Sequence, residues 1–548
     1  MALSMTPNMT PSMTPSTADH RSQPPLVTIP RHYNAAHDLL QRNAAWPQKT
    51  AFIHAIGGDT LSYGQLTQQS HQFANALRGL GFAPESRVLL AMLDTPDWPV
   101  VFLGCILAGV VPVAVNTLLM TADFDFMLRD SRAQGLVVSD VLLPAFEPLI
   151  GSVDTMKTVI VAGTSKSADS TVNSALNHSL AQLIRGQAAT NTVADSIANT
   201  CADDACFWLY SSGSTGTPKG TVHLHSHLIQ TAELYGRGVL GIQHSDVVYS
   251  AAKLFFAYGL GNALTFPMAV GATTVLLPAR PTPIDVFDVL KRYKPTIFYG
   301  VPTLYAALLA DPARPAKADV ALRICTSAGE ALPAEIGKQF TAAYGVEILD
   351  GIGSTEMLHI FLSNRPGRVR YGSTGQAVPG YQLKIVADDG KDCAVGEIGE
   401  LHISGPTSAI MYWNNRAKTK ATFAGDWTKS GDKYTLDADG YYTYGGRSDD
   451  MLKVGGIYVS PFEVEACLMT HPAVLEVAVI GVKDADELVK PKAYVVCKSG
   501  QIATADELKL HVKQHLAPYK YPRWFEFVGE LPKTATGKIQ RFKLRQSL

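Results

Sequence analysis

The chain has almost no charge imbalance and few cysteines. Its 47 basic and 48 acidic side chains leave a formal net charge of -1, and no basic block stands out. A nucleic-acid partner is therefore not expected, because such binders carry a basic excess or a basic patch. The 7 cysteines are scattered and form no C-x-x-C pair. That spacing disfavours a disulfide framework and a structural zinc site, and it is typical of a cytoplasmic protein.

The sequence also lacks a targeting segment and a clear membrane span. The first 25 residues carry three Met-Thr-Pro copies but neither a signal-peptide core nor an Arg-rich pattern, which predicts a disordered tail over 1–25. Residues 98–122 are uncharged and long enough to cross a bilayer. However, Gly104, Gly109 and Pro112 interrupt them and flanking basic residues are missing. We predict a buried helix over 99–108 and a buried strand over 110–115, with no membrane partner.

What the chain does have is an alternation of apolar β-rich runs with helical patterns. The strands are predicted over 87–92, 135–139, 158–162, 273–277 and 296–299, and helices over 63–80 and 284–293. Such alternation predicts an α/β fold: a large N-terminal domain of layered α/β sheets (26–446), with a β-rich subdomain around 375–404. The small and polar segment 445–450 indicates a linker, and we place the hinge at 447–449 within it. Beyond it, 450–548 reads as a small α+β domain with helices over 461–469 and 505–515 and strands over 475–482 and 492–498.

The strongest local signal is a loop of glycines and hydroxyls that follows an apolar strand. The loop contains Ser211, Ser212, Gly213, Ser214, Thr215 and Gly216, and Lys219 comes three residues later. Glycines allow close backbone approach to a phosphate, hydroxyls donate hydrogen bonds, and a lysine supplies positive charge. The loop is not a Walker motif, because Lys219 is preceded by Pro218 and followed by Gly220. A P-loop NTPase is therefore disfavoured, although ATP binding is not.

This loop resembles the signature loop of the acyl-adenylate-forming superfamily, which includes acyl-CoA synthetases, luciferases and peptide-synthetase adenylation domains. Five further matches follow in the family's order over residues 30–548. The resemblance implies an adenine-contacting segment (Gly329, Glu330, Ala331), a phosphate and magnesium segment (Asp350, Gly351, Thr355, Glu356), ribose contacts (Asp432, Arg447), a hinge residue (Asp449) and a catalytic lysine (Lys538). It thus implies ATP and CoA as substrates and Mg²⁺, held by Glu356, as cofactor. Lys219, Thr355, Glu356 and Lys538 are its implied catalytic residues.

Coenzyme A is the expected acyl acceptor, because the sequence given ends just after the lysine loop instead of continuing into a carrier domain. Gly455 and Gly456 resemble the ligase loop that lines the pantetheine tunnel, and a glycine pair allows close backbone approach. Tyr521 and Arg523 supply an aromatic and a basic group suited to an adenine ring and a 3′-phosphate.

Within the superfamily the chain most resembles bacterial benzoate–CoA ligases, through the stretches 253–262 and 353–367. The implied acid pocket comprises Phe256, Ala257, Tyr258, Ala328, Gly329, Gly353, Leu358 and His359. Its aromatic walls suit a flat ring. His359 is the polar exception, either bonding a ring substituent or the carboxylate, or serving as a satisfied supporting group. The resemblance therefore implies a benzoate–CoA ligase activity, with a role in aromatic degradation.

Several alternatives stay open at this stage. The acid could instead be a hydroxybenzoate, an aminobenzoate or a short-chain fatty acid. A non-catalytic binding protein for an acyl-adenylate or CoA ester, and a luciferase-type oxygenase, share much of the pattern. Three alternating histidines (His223, His225 and His227) are interpreted as core rather than as metal ligands. The oligomeric state is not fixed, a homodimer included, and Lys538 is a candidate for a lysine acetyltransferase.

Overall fold

A computed structural model describes residues 13–163, 177–187, 197–211, 218–447, 450–454, 457–484, 488–533 and 539–546. Its architecture is the predicted one: two large mixed sheets and a smaller antiparallel sheet, followed by a small α+β unit. Among the described residues, no helix has both the length and the apolar character that crossing a membrane requires.

The described part of the predicted disordered tail, residues 13–25, is ordered, so the boundary at residue 25 is wrong. Strand β1 (Thr17–Asp19) pairs with β2 (Leu26–Thr28). Ser16 donates a hydrogen bond to the buried Asp38, and the His20 ring lies 2.6 Å from Glu233. These specific partners override the disorder-like composition of the segment.

The first sheet contains mainly parallel strands. In the part of the chain that the structure describes, its order is β21 (Met411–Tyr412), β11 (Lys219–Leu224), β10 (Ala205–Ser211), β6 (Val111–Ala114), β5 (Arg87–Ala91), β7 (Gly135–Ser139), β8 (Thr158–Ala162) and β9 (Asn177–Ser179). The helices along this stretch of chain are α2 (Tyr63–Gly79), α3 (Asp97–Leu107), α4 (Thr121–Ser131), α5 (Leu143–Phe146) and α6 (Leu180–Arg185). The uncharged run thus forms the buried helix α3 and the buried strand β6, as predicted.

The second sheet is parallel at its centre and antiparallel at both edges. Among the described residues its order is β18 (Gln376–Ala377), β17 (Ile360–Ser363), β16 (Ile348–Gly353), β15 (Ile324–Ser327), β14 (Ile297–Gly300), β12 (Val247–Ser250), β13 (Thr273–Leu276), β3 (Thr50–His54) and β4 (Thr60–Ser62). The associated helices are α1 (Ala35–Gln41), α7 (His225–Thr231), α8 (Ala257–Leu260), α9 (Phe266–Val270), α10 (Pro283–Arg292), α11 (Pro302–Ala310) and α12 (Ala334–Tyr344). Parallel strands end at one edge, which gathers the loops after them into one site.

The predicted β-rich subdomain is an antiparallel sheet that extends further along the chain than expected. It consists of β19 (Gln382–Val386), β20 (Gly399–Ser404), β22 (Phe423–Ala424), β23 (Trp427–Leu436) and β24 (Tyr442–Arg447), with α13 (Arg416–Thr422) before β22. The pairing of β23 with β24 sets Asp432 opposite Arg447.

The small unit has its own apolar core. Its elements are β25 (Leu452–Val454), β26 (Ile457–Val459), α14 (Pro461–Met469), β27 (Val474–Lys483), β28 (Val489–Cys497), α15 (Ala505–His515), β29 (Trp524–Phe527) and α16 (Arg541–Gln546). Both predicted helices have the predicted bounds, and side chains cap their N-terminal ends. The Ser460 hydroxyl accepts a hydrogen bond from the Glu463 N–H, and Thr504 does the same for Glu507.

Candidate active site

The residues that flank the predicted phosphate loop are paired in two antiparallel strands. Ser211 ends β10 and lies directly opposite Lys219, the first residue of β11. The predicted residues Ser212, Gly213, Ser214, Thr215 and Gly216 lie between them and outside the described residues. Lys219 is therefore held at the base of the loop by the strand ladder.

Lys219 lies in a partly buried, cationic environment. Its Nζ is 4.6 Å from the centre of the Tyr412 ring. Burial lowers the pKa of Lys219; the charge of Glu356 opposes that shift, while Lys418 and Arg447 add to it. Three cations that repel one another would be stabilised by a bound polyanion, so this region suits a polyphosphate.

Glu356 is linked to Lys219 through Tyr412. The Tyr412 hydroxyl donates a 2.6 Å hydrogen bond to one oxygen of Glu356, and the Glu356 backbone carbonyl accepts from the Ala409 N–H at 2.7 Å. Burial, together with the Glu356 charge, raises the pKa of Tyr412, so the hydroxyl remains a donor. The carboxylate is thus fixed through one oxygen, and its other oxygen can take a ligand.

The carbonyl of Thr355 rests on the histidine run. His223 Nε2 lies 2.7 Å from that carbonyl oxygen and therefore donates to it. Burial lowers the pKa of His223 to about 4, so the ring is neutral and its Nδ1 accepts from His227, 3.0 Å away. His225 accepts from the Ala35 N–H. These three imidazoles form hydrogen bonds within the protein and support the segment that carries Thr355.

The adenine candidates follow β15, and Asp350 lies on the neighbouring strand β16. Asp350 is buried, which raises the pKa of its carboxyl against the opposing effect of the Leu332 and Gly351 N–H groups. Gly329 has a φ of 94°, and the space where a side chain would stand is open. Ala331 is half-buried in the same turn.

Asp432 and Arg447 form a pair across β23 and β24. The guanidinium Nη1 lies 3.4 Å from an oxygen of Asp432 and 3.4 Å from the Ser430 carbonyl oxygen. Gly431 between them has a φ of 74°, and a Cβ there would stand 3.1 Å from the guanidinium. The structure therefore brings together the two groups that the sequence predicted to contact ribose.

The predicted acid pocket gathers around Tyr258. Its hydroxyl lies 2.5 Å from the Thr326 hydroxyl, on the strand that leads to Ala328. Its ring lies 5.5 Å from that of His359, which neighbours the buried Leu358. The other predicted lining residues are the half-buried Phe256 and Ala257, the exposed Gly329, and Gly353, which pairs with Ile360 across β16 and β17.

His359 is buried against a π-helical turn over Gly261–Thr265. A Cβ at Gly261 would lie 2.3 Å from the imidazole, so only glycine leaves room for the ring. Nε2 lies 3.2 Å from the Tyr258 carbonyl and 3.2 Å from the Asn262 side-chain oxygen, and must carry the proton because both are acceptors. Among the described residues, Nδ1 has no hydrogen-bond partner. Burial lowers the pKa of His359 to about 3, so the ring is neutral.

That proton arrangement decides between the roles considered for His359. A neutral ring whose only N–H is engaged by Tyr258 and Asn262 has no donor left for a carboxylate. Nδ1 can only accept, so it suits a hydroxyl or amino hydrogen and not the acid group. Of the roles left open for His359, this arrangement therefore favours a ring substituent or a supporting role over a bond to the carboxylate.

The remaining predicted residues belong to the small unit. Gly455, Gly456, Asp449 and Lys538 lie outside the described residues. The residue after Lys538, Ile539, donates its N–H to Glu330 at 3.0 Å and pairs with Lys533. The end of the lysine loop is thus attached to the predicted adenine segment.

Tyr521 and Arg523 are in direct contact, and further basic groups surround them. The Arg523 guanidinium stacks 3.5 Å from the centre of the Tyr521 ring, and Lys513 Nζ is 4.4 Å from it. An aromatic face edged by cations suits an anionic ligand that carries a ring.

Sequence reasoning missed Tyr412 and the supporting role of His223. Tyr412 follows Glu356 by 56 residues, and His223 precedes Thr355 by 132. Tyr412 comes beside Lys219 because β21 pairs with β11, and no sequence motif marks that pairing. The alternating histidines could be recognised in the sequence, but their hydrogen-bond partners, such as the Thr355 carbonyl, could not.

Comparison with known proteins extends over nearly the whole chain. The profile of the family described as AMP-binding enzyme matches residues 39–413, and that of the AMP-binding enzyme C-terminal domain matches 463–538. The benzoate–CoA ligase of Thauera aromatica is 57% identical over 97% of this chain and 99% of its own length. A 4-hydroxybenzoate–CoA/benzoate–CoA ligase of Rhodopseudomonas palustris is 48% identical over 94% of each chain.

Two solved structures are also similar to nearly the whole chain. A benzoate CoA ligase from Burkholderia xenovorans LB400 is 52% identical, with a TM-score of 0.86, covering 94% of this chain and 100% of the other. An anthranilate CoA ligase in complex with anthranoyl-AMP is 44% identical, with a TM-score of 0.88, covering 95% and 98%.

Proposed function

The chain belongs to the AMP-binding enzyme family, and from this we propose that it joins an aryl carboxylate to coenzyme A through an acyl-adenylate. ATP supplies the adenylyl group, pyrophosphate leaves in the first step, and AMP leaves in the second. The observation that carries the proposal is the connected series Lys219, Tyr412 and Glu356 at the base of the predicted phosphate loop. A non-catalytic binder would have no need of it.

In the first step, the acid oxygen attacks the α-phosphate and the bond to pyrophosphate breaks. Lys219 and the loop from Ser211 to Gly216 hold the departing phosphates. Asp432 accepts hydrogen bonds from the ribose hydroxyls, while Arg447 keeps its carboxylate oriented. Lys538 neutralises the charge that builds at the α-phosphate.

Magnesium is the cofactor that we propose for this site. The Glu356 oxygen not engaged by Tyr412 offers a hard oxygen donor of the kind that Mg²⁺ prefers, and the hydroxyl of the neighbouring residue Thr355 is a second candidate donor. When bound, the ion would reduce the negative charge of the phosphates.

The domains serve the two steps in turn. We assign 26–446, together with the paired segment 13–25, to the adenylation domain, 447–449 with Asp449 to the hinge, and 450–548 to a mobile domain that carries Lys538 and the CoA contacts. Those contacts are Gly455, Gly456, Tyr521 and Arg523. Rotation at the hinge would withdraw Lys538 and bring in the acceptor thiol.

The cellular setting completes the proposal. We place the enzyme in the cytoplasm, with a role in aromatic degradation. A homodimer is the assembly to test first, by sedimentation. Acetylation of Lys538 by a lysine acetyltransferase would remove the charge that adenylation needs, so the acetylated enzyme should be inactive in the first step.

Benzoate is the acid that we assign first. The rings of Tyr258, Phe266 and Tyr235 pack tilted or edge-on against His359 and make an aromatic floor, which suits a flat ring and excludes a long flexible chain. Relatives that are named for benzoate and for 4-hydroxybenzoate support an aryl acid.

A substrate panel tests the reaction and the acid together. AMP release would be followed with ATP, Mg²⁺ and CoA, offering benzoate, 4-hydroxybenzoate, 2-aminobenzoate, acetate, hexanoate and palmitate. We expect the highest kcat/KM for benzoate and release that depends on CoA. Preference for a fatty acid would contradict the proposed aryl-acid pocket. If no acid led to AMP release, the proposed ligase activity would be contradicted.

His359→Ala should raise the KM for benzoate by about tenfold or more, because it frees the Tyr258 carbonyl and leaves a cavity under the aromatic floor. kcat should change less, since the ring does not contact the phosphates. His244→Ala, an exposed histidine, is the matched control. Wild-type KM should show no titration attributable to His359 between pH 5 and 8, since its pKa is about 3. An unchanged benzoate KM in His359→Ala would remove the residue from the pocket.

A further inference from the structure

Three side chains with soft or borderline metal-binding atoms converge on two helices of the small domain. They are Cys467 on α14 and His511 and His515 on α15. The Cys467 sulfur and one ring nitrogen of each histidine all lie within 4.8 Å of one another. No step of the proposed reaction uses any of them.

Both imidazoles are held in a defined tautomer by backbone carbonyls. His515 Nδ1 lies 2.7 Å from the His511 carbonyl oxygen and donates to it, so Nε2 keeps a free lone pair. His511 Nε2 lies 3.1 Å from the Cys467 carbonyl oxygen and 2.8 Å from the Thr470 hydroxyl, so Nδ1 keeps the lone pair. A carbonyl on the second ring nitrogen is the usual support of a metal-ligating histidine.

The spacing and burial also suit a cation. His511 and His515 are one helical turn apart, so their side chains share a face of α15. Ligand atoms around a tetrahedral zinc ion stand roughly 3–4 Å apart, so small side-chain rotations would close the observed group. Cys467 is buried and His515 exposed, which leaves one open side for entry.

We propose that Cys467, His511 and His515 form a binding site for a divalent cation of the zinc class. One thiolate and two imidazoles select zinc or its cobalt substitute over magnesium, which takes oxygen ligands. On binding, the Cys467 thiol loses its proton to solvent and its sulfur bonds the ion. A water molecule completes the fourth position.

The ion would join α14 to α15. Lys509 and Lys513 of α15 also face the Tyr521 ring, at 5.4 and 4.4 Å. Binding would therefore stiffen the helix that carries part of the predicted CoA surface, and it would stabilise the small domain. This inference does not depend on the identity of the acid or on the ligase reaction.

Cobalt titration of the full-length enzyme tests the site. The protein carries no histidine tag, is freed of metal with a chelator, and contains no nucleotide. We expect about one equivalent of Co²⁺ to bind with tetrahedral visible bands and a thiolate charge-transfer band, and Zn²⁺ to displace it. Zinc should also raise the unfolding temperature.

Variants locate the ligands. Cys467→Ser should abolish the charge-transfer band, and His515→Gln should weaken binding by at least about tenfold, since losing even an outer-shell partner of a metal ligand costs that much. Cys497→Ser and His244→Gln are matched controls and should bind like the wild type. If Cys467→Ser fails to fold, the exposed His515→Gln variant decides alone. Wild-type cobalt affinity in His515→Gln, or a cobalt complex without the sulfur band, would overturn the site.

Discussion

Lys538→Ala should slow formation of the acyl-adenylate by roughly a hundred- to a thousandfold, the usual loss when one preorganised transition-state contact is removed. Attack on the α-phosphate concentrates negative charge there, and a lysine neutralises it only if the loop is held in place. The structure supplies the attachment on one side of the loop: the Ile539 N–H donates to Glu330, in the predicted adenine segment. Benzoate-dependent exchange of pyrophosphate into ATP measures this step alone.

Two comparisons make that result specific. Lys543→Ala replaces an exposed lysine on the following helix, α16, and should leave exchange within about twofold of the wild type, as surface changes do. Transfer from preformed benzoyl-adenylate to CoA should lose much less in Lys538→Ala than exchange does, because pyrophosphate has already left. Equal losses in both steps would contradict a role confined to adenylation, and exchange near the wild-type rate would remove Lys538 from the chemistry.

Much of the fold could be predicted because local signals and the global fold agree. The first residues of α14 and α15 follow from the N-capping residues Ser460 and Thr504. The uncharged run around α3 was assigned correctly because Gly109 and Pro112 interrupt it. The tail was misjudged, since composition alone does not reveal that Ser16 has a buried partner in Asp38.

In the candidate site, too, the local features could be predicted and the long-range contacts could not. Ordered motifs indicated which residues bind ATP, because each motif is local in sequence. Contacts between distant segments left no such signal: Tyr412 with Glu356, 56 residues apart, and His511 with the Cys467 carbonyl, 44 apart. Those contacts depend on strand pairing and helix packing, which a single sequence does not specify. The tautomer of His359 likewise required its neighbours to be seen.

Glu356→Gln should lower kcat/KM for ATP by about a hundredfold or more and shift the Mg²⁺ dependence to higher concentrations. The substitution is informative because glutamine keeps the shape of the side chain and an oxygen that can still accept from the Tyr412 hydroxyl. What it removes is the negative charge that faces Lys219 and the proposed cation. Initial rates over a Mg²⁺ series at fixed ATP give both parameters.

Tyr412→Phe separates the charge of Glu356 from its positioning. It removes the 2.6 Å hydrogen bond but leaves the carboxylate charge, so we expect a loss of about tenfold, the scale of one hydrogen bond to a charged group. The Mg²⁺ dependence should move little, because both carboxylate oxygens then remain available to the ion. A Glu356→Gln enzyme with wild-type Mg²⁺ dependence would exclude Glu356 as a ligand. A Tyr412→Phe enzyme as impaired as Glu356→Gln would instead mean that fixing the carboxylate matters as much as its charge.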